Sequence, residues 1–102
     1  YYLHEIKPDK QPIGVHSHAK PFTTHDIQLR EGDGIYVFSD GFQDQFGGPK
    51  GKKFKAKSIK TILLSHQDKS MREQYQILLR TFEAWKGEGE QTDDVTLIGV
   101  KV

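Results

Sequence analysis

Ile35-Tyr36-Val37-Phe38-Ser39-Asp40-Gly41 places four consecutive apolar residues directly before a polar corner. Apolar character on both faces of so short a run predicts a strand covered on both sides. Ser39-Asp40-Gly41 ends it, which sets a carboxylate where a buried strand emerges. Upstream, Arg30-Glu31-Gly32-Asp33-Gly34 reads as a turn, its two glycines available for positive φ. Before that turn, Phe22 to Leu29 alternates, with Thr23, His25, Ile27 and Leu29 on one face, and predicts an exposed strand. The spacing suggests a hairpin of Phe22–Leu29 with Ile35–Phe38.

Further upstream, Tyr1 to Ile6 reads as a short strand stopped by Pro8. Lys7 to Pro12 is a turn segment, and Ile13-Gly14-Val15 a brief extended piece. Downstream of Gly41, Phe42 to Lys57 reads as a Gly- and Lys-rich loop with Phe46 and Phe54 as anchors. Ser58 to Ser65 predicts a short helix, Ser58 at its N-cap and Ile59, Ile62 and Leu63 in one stripe. A longer helix follows. Ser70-Met71-Arg72-Glu73 is a capping-box pattern, Gly87 stands where a C′ glycine belongs, and Met71, Tyr75, Leu78, Leu79, Phe82 and Trp85 recur at helical spacing as a core face. Asp93-Asp94 opens a last strand, Val95 to Val102. Strands, then helices, then a strand predict an α+β fold, a mostly antiparallel sheet with two helices packed on one face.

Composition bounds the rest. The chain has 102 residues, 34% hydrophobic, 28% charged and 11% aromatic, with a net charge of +1. One modest core is possible at this size, and the aromatics argue against disorder. The near-neutral balance gives no global field for nucleic acid or membrane. There is no cysteine, which excludes disulfides and thiolate zinc sites and makes the cytoplasm the default compartment. No apolar run approaches membrane-spanning length, and the first residues have no signal-peptide pattern.

Asp40, Asp93 and Asp94 sit at element ends. If the two strands are antiparallel neighbours, these carboxylates meet at one end of the sheet, where they repel unless a cation lies between them. Hard cations such as Mg²⁺ and Mn²⁺ prefer such oxygen donors. The plainer alternative is that all three are turn and loop acids.

The ordered set Gln11-Pro12-Ile13-Gly14, then Val37-Phe38-Ser39-Asp40-Gly41, then Gln91-Thr92-Asp93-Asp94-Val95-Thr96-Leu97-Ile98 resembles the PPM-type (type 2C-like) metal-dependent Ser/Thr protein phosphatases. The likeness is to the bacterial branch related to the sporulation stage II phosphatase and the stress-response sigma-factor regulators. The resemblance implies an α-β-β-α sandwich with a Mn²⁺ or Mg²⁺ two-metal centre whose activated water attacks phosphorus directly. It implies Asp40 and Asp93 as metal ligands, Asp94 as a partner of those ligands or an alternate one, and Gly41 as the residue allowing a tight turn. It implies a phosphoserine- or phosphothreonine-bearing regulatory protein as substrate, and an upstream sensor domain. The family's N-terminal aspartate and Asp-x-Gly motif have no counterpart here. The expectation is therefore a single C-terminal segment, 1–102, a partial sandwich that lacks its N-terminal half and is inactive alone. Phe42-Gln43-Asp44-Gln45 also stands where that branch often has a Thr-Glu pair.

Three further features have competing readings. Lys50, Lys52 and Lys53, with Lys55, Lys57 and Lys60, form either a substrate-attracting patch or a solvated loop; poor aromatic interleaving disfavours nucleic acid. His16-Ser17-His18 is either a transition-metal chelate or a surface loop. Apolar sheet surface left uncovered in a half-sandwich favours self-association, so a regulatory or dimerisation module without catalysis is the second functional reading.

Overall fold

The structure is a computed structural model that describes residues 2–15, 17 and 19–102. Tyr1 and the paired imidazoles of His16 and His18 lie outside the described residues. In chain order the elements are β1 (Gly34–Phe38), α1 (Asp40–Gln43), β2 (Phe46–Gly47), β3 (Lys52–Lys53), α2 (Ala56–Ser65), α3 (Met71–Lys86) and β4 (Leu97–Lys101). The result is a mixed α and β architecture with small antiparallel sheets.

β1 and β4 pair antiparallel, from Gly34 opposite Lys101 to Phe38 opposite Leu97. The period of two then assigns the faces. Tyr36, Phe38 and Leu97 turn toward the helices and pack on a core of Phe42, Ile59, Leu63, Leu78 and Phe82. Gly99 stands across from Tyr36, and a Cβ there would come within 2.9 Å of the tyrosine ring, so the ring lies over bare backbone. Its hydroxyl donates to Gln74 Oε1 and accepts from Gln67 Nε2 at 2.8 Å. Gln74 is buried on α3 and Gln67 lies in the connection from α2, so this pair ties the sheet to α3 and to the α2–α3 connection without leaving a polar group unbonded.

The opposite face of the ribbon is bare. Ile35 is 41% exposed, Val37 59%, Ile98 54% and Val100 53%. The expected cover on both sides of β1 is thus present on one side only. A compact domain of this mass, 11.7 kDa, exposes about 5,900 Å², whereas this chain exposes 8319 Å². Its smallest dimension is 18 Å, that of a two-layer unit.

The expected strands at 1–6 and 22–29 do not form among the described residues. β-branched and aromatic residues favour strands only where a pleated surface can receive them. Here Phe22 and Ile27 remain exposed. Asp9 and Gln11 bond Thr23 and Lys20 instead, side chain to backbone. Nor does 22–29 pair with β1 as a hairpin: after the turn at Gly32 (φ 93), Gly32 N and Val102 N extend the β1–β4 ladder through Val102 O and Asp33 O. Ile13 and Gly14 lie in a bend rather than an extended piece.

The expected loop 42–57 contains the end of α1, the β2–β3 hairpin and the first residues of α2, with glycines 48 and 51 at positive φ in the hairpin turn. Phe54 is an anchor, its ring 5.0 Å from Phe42 and 5.3 Å from Trp85. Phe46 is not; it is half exposed beneath the Lys53 ammonium. α2 starts at Ala56 with Lys55 as its N-cap, so Ser58 lies inside the helix. α3 has the full capping box, Ser70 Oγ accepting from Glu73 N at 3.1 Å, and ends at Gly87 (φ 57). Its apolar stripe is split. Leu78 and Phe82 are core, while Tyr75 and Leu79 are exposed along an open groove between α3 and β4.

Candidate metal centre

β1 delivers Asp40 and β4 receives the Asp93–Asp94 segment at the same end of the ribbon. The register continues one step beyond the strands: Ser39 N donates to Thr96 O at 2.9 Å, and Thr96 N donates to Ser39 Oγ at 3.1 Å. Asp40 is then the first residue of α1, with Ser39 as the extended N-cap. Gly41 is buried, and a Cβ at that position would overlap the carbonyl of Asp94. Glycine is therefore required at 41 for close approach of two backbones; it lies in α1 rather than in a left-handed turn. Asp93 and Asp94 precede β4 in a loop, since regular pairing starts at Leu97. Asp94 N donates to Asp93 Oδ1 at 2.7 Å, and Gln91 Nε2 donates to Asp93 O at 3.0 Å.

All three carboxylates are exposed. The ion pairs among the described residues join Lys53 to Asp44 (3.7 Å), Lys60 to Glu5, and Lys86 to Glu83 (3.9 Å). None of them engages Asp40, Asp93 or Asp94, so no ammonium among these pairs competes with a hard cation for the oxygens at this end, of which Asp93 Oδ1 already accepts from Asp94 N. The donor chemistry fits Mn²⁺ or Mg²⁺. The donor number falls short: among the described residues no group of three or more His, Asp or Glu side chains stands close enough to hold a metal.

The lysines divide. Lys53 is drawn to Asp44, just after α1. Lys52 is its neighbour in β3, and Lys50 lies in the turn before it. All three are exposed, and no hydrogen bond or ion pair links them to Asp40, Asp93 or Asp94. In the N-terminal arm two carboxylates are held below their ordinary range, Glu5 through its hydrogen bond from Lys60, and Asp9 through hydrogen bonds from the Thr23 backbone and hydroxyl.

The sequence assigns no role to Gln45, which is fully buried and bonds Glu90 in the loop that leads to Asp93. A glutamine in the polar stretch after Asp40-Gly41 gives no periodic signal; only the neighbouring phenylalanines hint that the segment turns inward.

Residues 3–102 match the sequence model of the family described as Stage II sporulation protein E (SpoIIE). No curated protein matches the chain at a significant level. Among solved structures, the SiaA-PP2C domain of Pseudomonas aeruginosa superposes with a TM-score of 0.76 at 28% sequence identity. The match covers 81% of this chain and 34% of that one, so the chain spans about a third of that structure's length. No helix among the described residues is long and apolar enough to cross a membrane.

Proposed function

Because the chain belongs to the SpoIIE family, as part of a PP2C-like phosphatase domain, we propose that it is the C-terminal segment of a metal-dependent Ser/Thr protein phosphatase. Its substrate class is a regulatory protein carrying phosphoserine or phosphothreonine. Asp40 and Asp93 would hold the metal, with Asp94 beside them as partner or alternate ligand. The observation that carries this reading is the antiparallel register of β1 with β4, which sets Ser39-Asp40-Gly41 against Asp94-Val95-Thr96. A Mn²⁺ or Mg²⁺ ion held there would acidify a bound water and offset phosphoryl charge. The chain's own residues do the positioning. Gly41 permits the close approach, and Ser39 fixes the start of β4. The remaining donors would come from the N-terminal half of the same domain, so this chain alone is expected to show no turnover.

Titration calorimetry of Mn²⁺ into the chain, beside an Asp40→Asn/Asp93→Asn double variant, tests the reading. Binding with a dissociation constant on the order of millimolar, as weak oxygen sites have, and its loss in the double variant are expected. If a protein that also contains the N-terminal half binds Mn²⁺ equally well with and without both aspartates, the assignment fails.

A second reading, an interaction module without catalysis, is favoured by the bare apolar face of Ile35, Val37, Ile98 and Val100. Phosphatase activity in the complete domain that is lost on Asp40→Asn would set it aside.

A further inference from the structure

Gln45 follows α1 closely, and its side chain is sealed from solvent, with a relative exposure of 0%. A buried primary amide is costly unless its groups are bonded. Nε2 donates to two carbonyls, Glu90 O at 2.7 Å and Phe46 O at 3.1 Å. Both partners only accept, so the NH₂ must face them and the amide has one workable orientation. Oε1 finds no donor among the described residues. The backbone carbonyl of Gln45 accepts from Trp85 Nε1 at 2.8 Å and from Phe54 N at 3.0 Å. This one residue thus joins the end of α1, the hairpin, α3 and the loop leading to Asp93.

That loop has little other anchorage. Gly89 N donates to Lys86 O at the helix end, and the Gln91–Asp93 and Asp93–Asp94 bonds are internal. Among the described residues, Gln45–Glu90 is the hydrogen bond that ties the middle of the loop to the body. The segment around Asp40 therefore grips the segment around Asp93 at both ends: Ser39 holds Thr96, Gly41 meets Asp94, and Gln45 holds Glu90.

We infer that Gln45 is a positioning residue for the candidate metal centre, its buried amide holding the Glu90 carbonyl and so setting where Asp93 and Asp94 stand relative to Asp40. The functional half of this inference rests on the reading of Asp40 and Asp93 as metal ligands; the clamp itself does not.

The test uses the full-length protein with Gln45→Met, which keeps the shape and removes both donors. Trp85→Phe, which loosens the same junction without touching Glu90, serves as control. Amide hydrogen exchange at residues 91–95 and Mn²⁺ affinity are measured. Loss of the clamp is expected to speed loop exchange roughly fivefold or more, and to weaken Mn²⁺ binding by a similar factor. Trp85→Phe should lower overall stability without singling out the loop. Unchanged loop exchange in Gln45→Met overturns the inference. Faster exchange with undiminished Mn²⁺ affinity, where Asp40→Asn/Asp93→Asn does abolish binding, also overturns it. Faster exchange in a protein whose Mn²⁺ binding ignores both aspartates supports the clamp and sinks the metal reading instead. Should Gln45→Met fail to fold, the wild-type protein still decides: both Gln45 side-chain NH₂ protons should be protected from exchange, and solvent-rate exchange of either overturns the clamp.

Discussion

At position 41 a single methyl group separates a folded corner from a broken one. The Cβ of an alanine would overlap the Asp94 carbonyl, which belongs to backbone on both sides and has no flexible end to yield. Gly41→Ala is expected to destabilise the chain by about 1–3 kcal/mol, as overpacking of a filled site does. Urea melts would read that loss, and Mn²⁺ titration should show weaker binding, because the overlap pushes Asp94 away from Asp40. Equal stability and affinity in the variant would mean that the two segments do not meet. Asp9 illustrates the opposite kind of residue, exposed and electrostatic. Its carboxylate accepts first from the Thr23 backbone and then from the Thr23 hydroxyl, which holds its pKa below the ordinary value. A depressed folded pKa means that the clasp contributes fully above the ordinary aspartate value of about 3.9 and is lost as pH falls through the lower, folded value. The Thr23 amide resonance should therefore shift only at acid pH, and Asp9→Asn should remove that titration. A midpoint above the ordinary aspartate value would contradict the clasp.

Elements form where local signals agree with a surface that receives them. α3 has both: the capping box closes its first turn, Gly87 closes its last, and Leu78 and Phe82 enter the core. Ser70→Ala is expected to cost about 1 kcal/mol, a fall of roughly 4–8 °C in melting temperature for a domain of this size. A shift below a degree would show that packing alone sets the helix start. The same agreement explains what could be read from residue order. α3, β1 and β4 were legible because their period, caps and β-branched runs match what they pack against, and the Asp40 and Asp93–Asp94 corners follow from those strand ends. Phe22–Leu29 differs because its alternation promises a strand, yet in this chain Phe22 and Ile27 find no pleated neighbour. The hairpin of β2 and β3 was invisible behind its lysines, since strands of two residues carry no period. Gln45 and Gln74 were missed because a buried amide is specified by the carbonyls and hydroxyls around it, which come from distant parts of the chain.

The whole molecule shows why β1 reads as covered on both sides and is covered on one. Its Ile35 and Val37 lie opposite Val100 and Ile98, which makes an unbroken β-branched patch on the ribbon face away from the helices. Together with the surface excess over a compact domain, and a radius of gyration of 15.8 Å against about 13 Å for a compact chain of this length, the patch has the composition of a core face that this chain itself leaves uncovered. If a second sheet of the same domain covers it, a charge placed there has opposite consequences in the two settings. Val37→Lys in this chain alone replaces an exposed side chain and should change stability within about 0.5 kcal/mol, while reducing any self-association seen by sedimentation. In the protein that also carries the N-terminal half, the same lysine would be an unpaired buried charge and should cost on the order of 3–5 kcal/mol. Urea melts of both proteins read the contrast directly. A small cost in both would mean that nothing covers this face, and the phosphatase sandwich would lose its support; a large cost in this chain alone would mean that copies of the chain already bury the patch against one another.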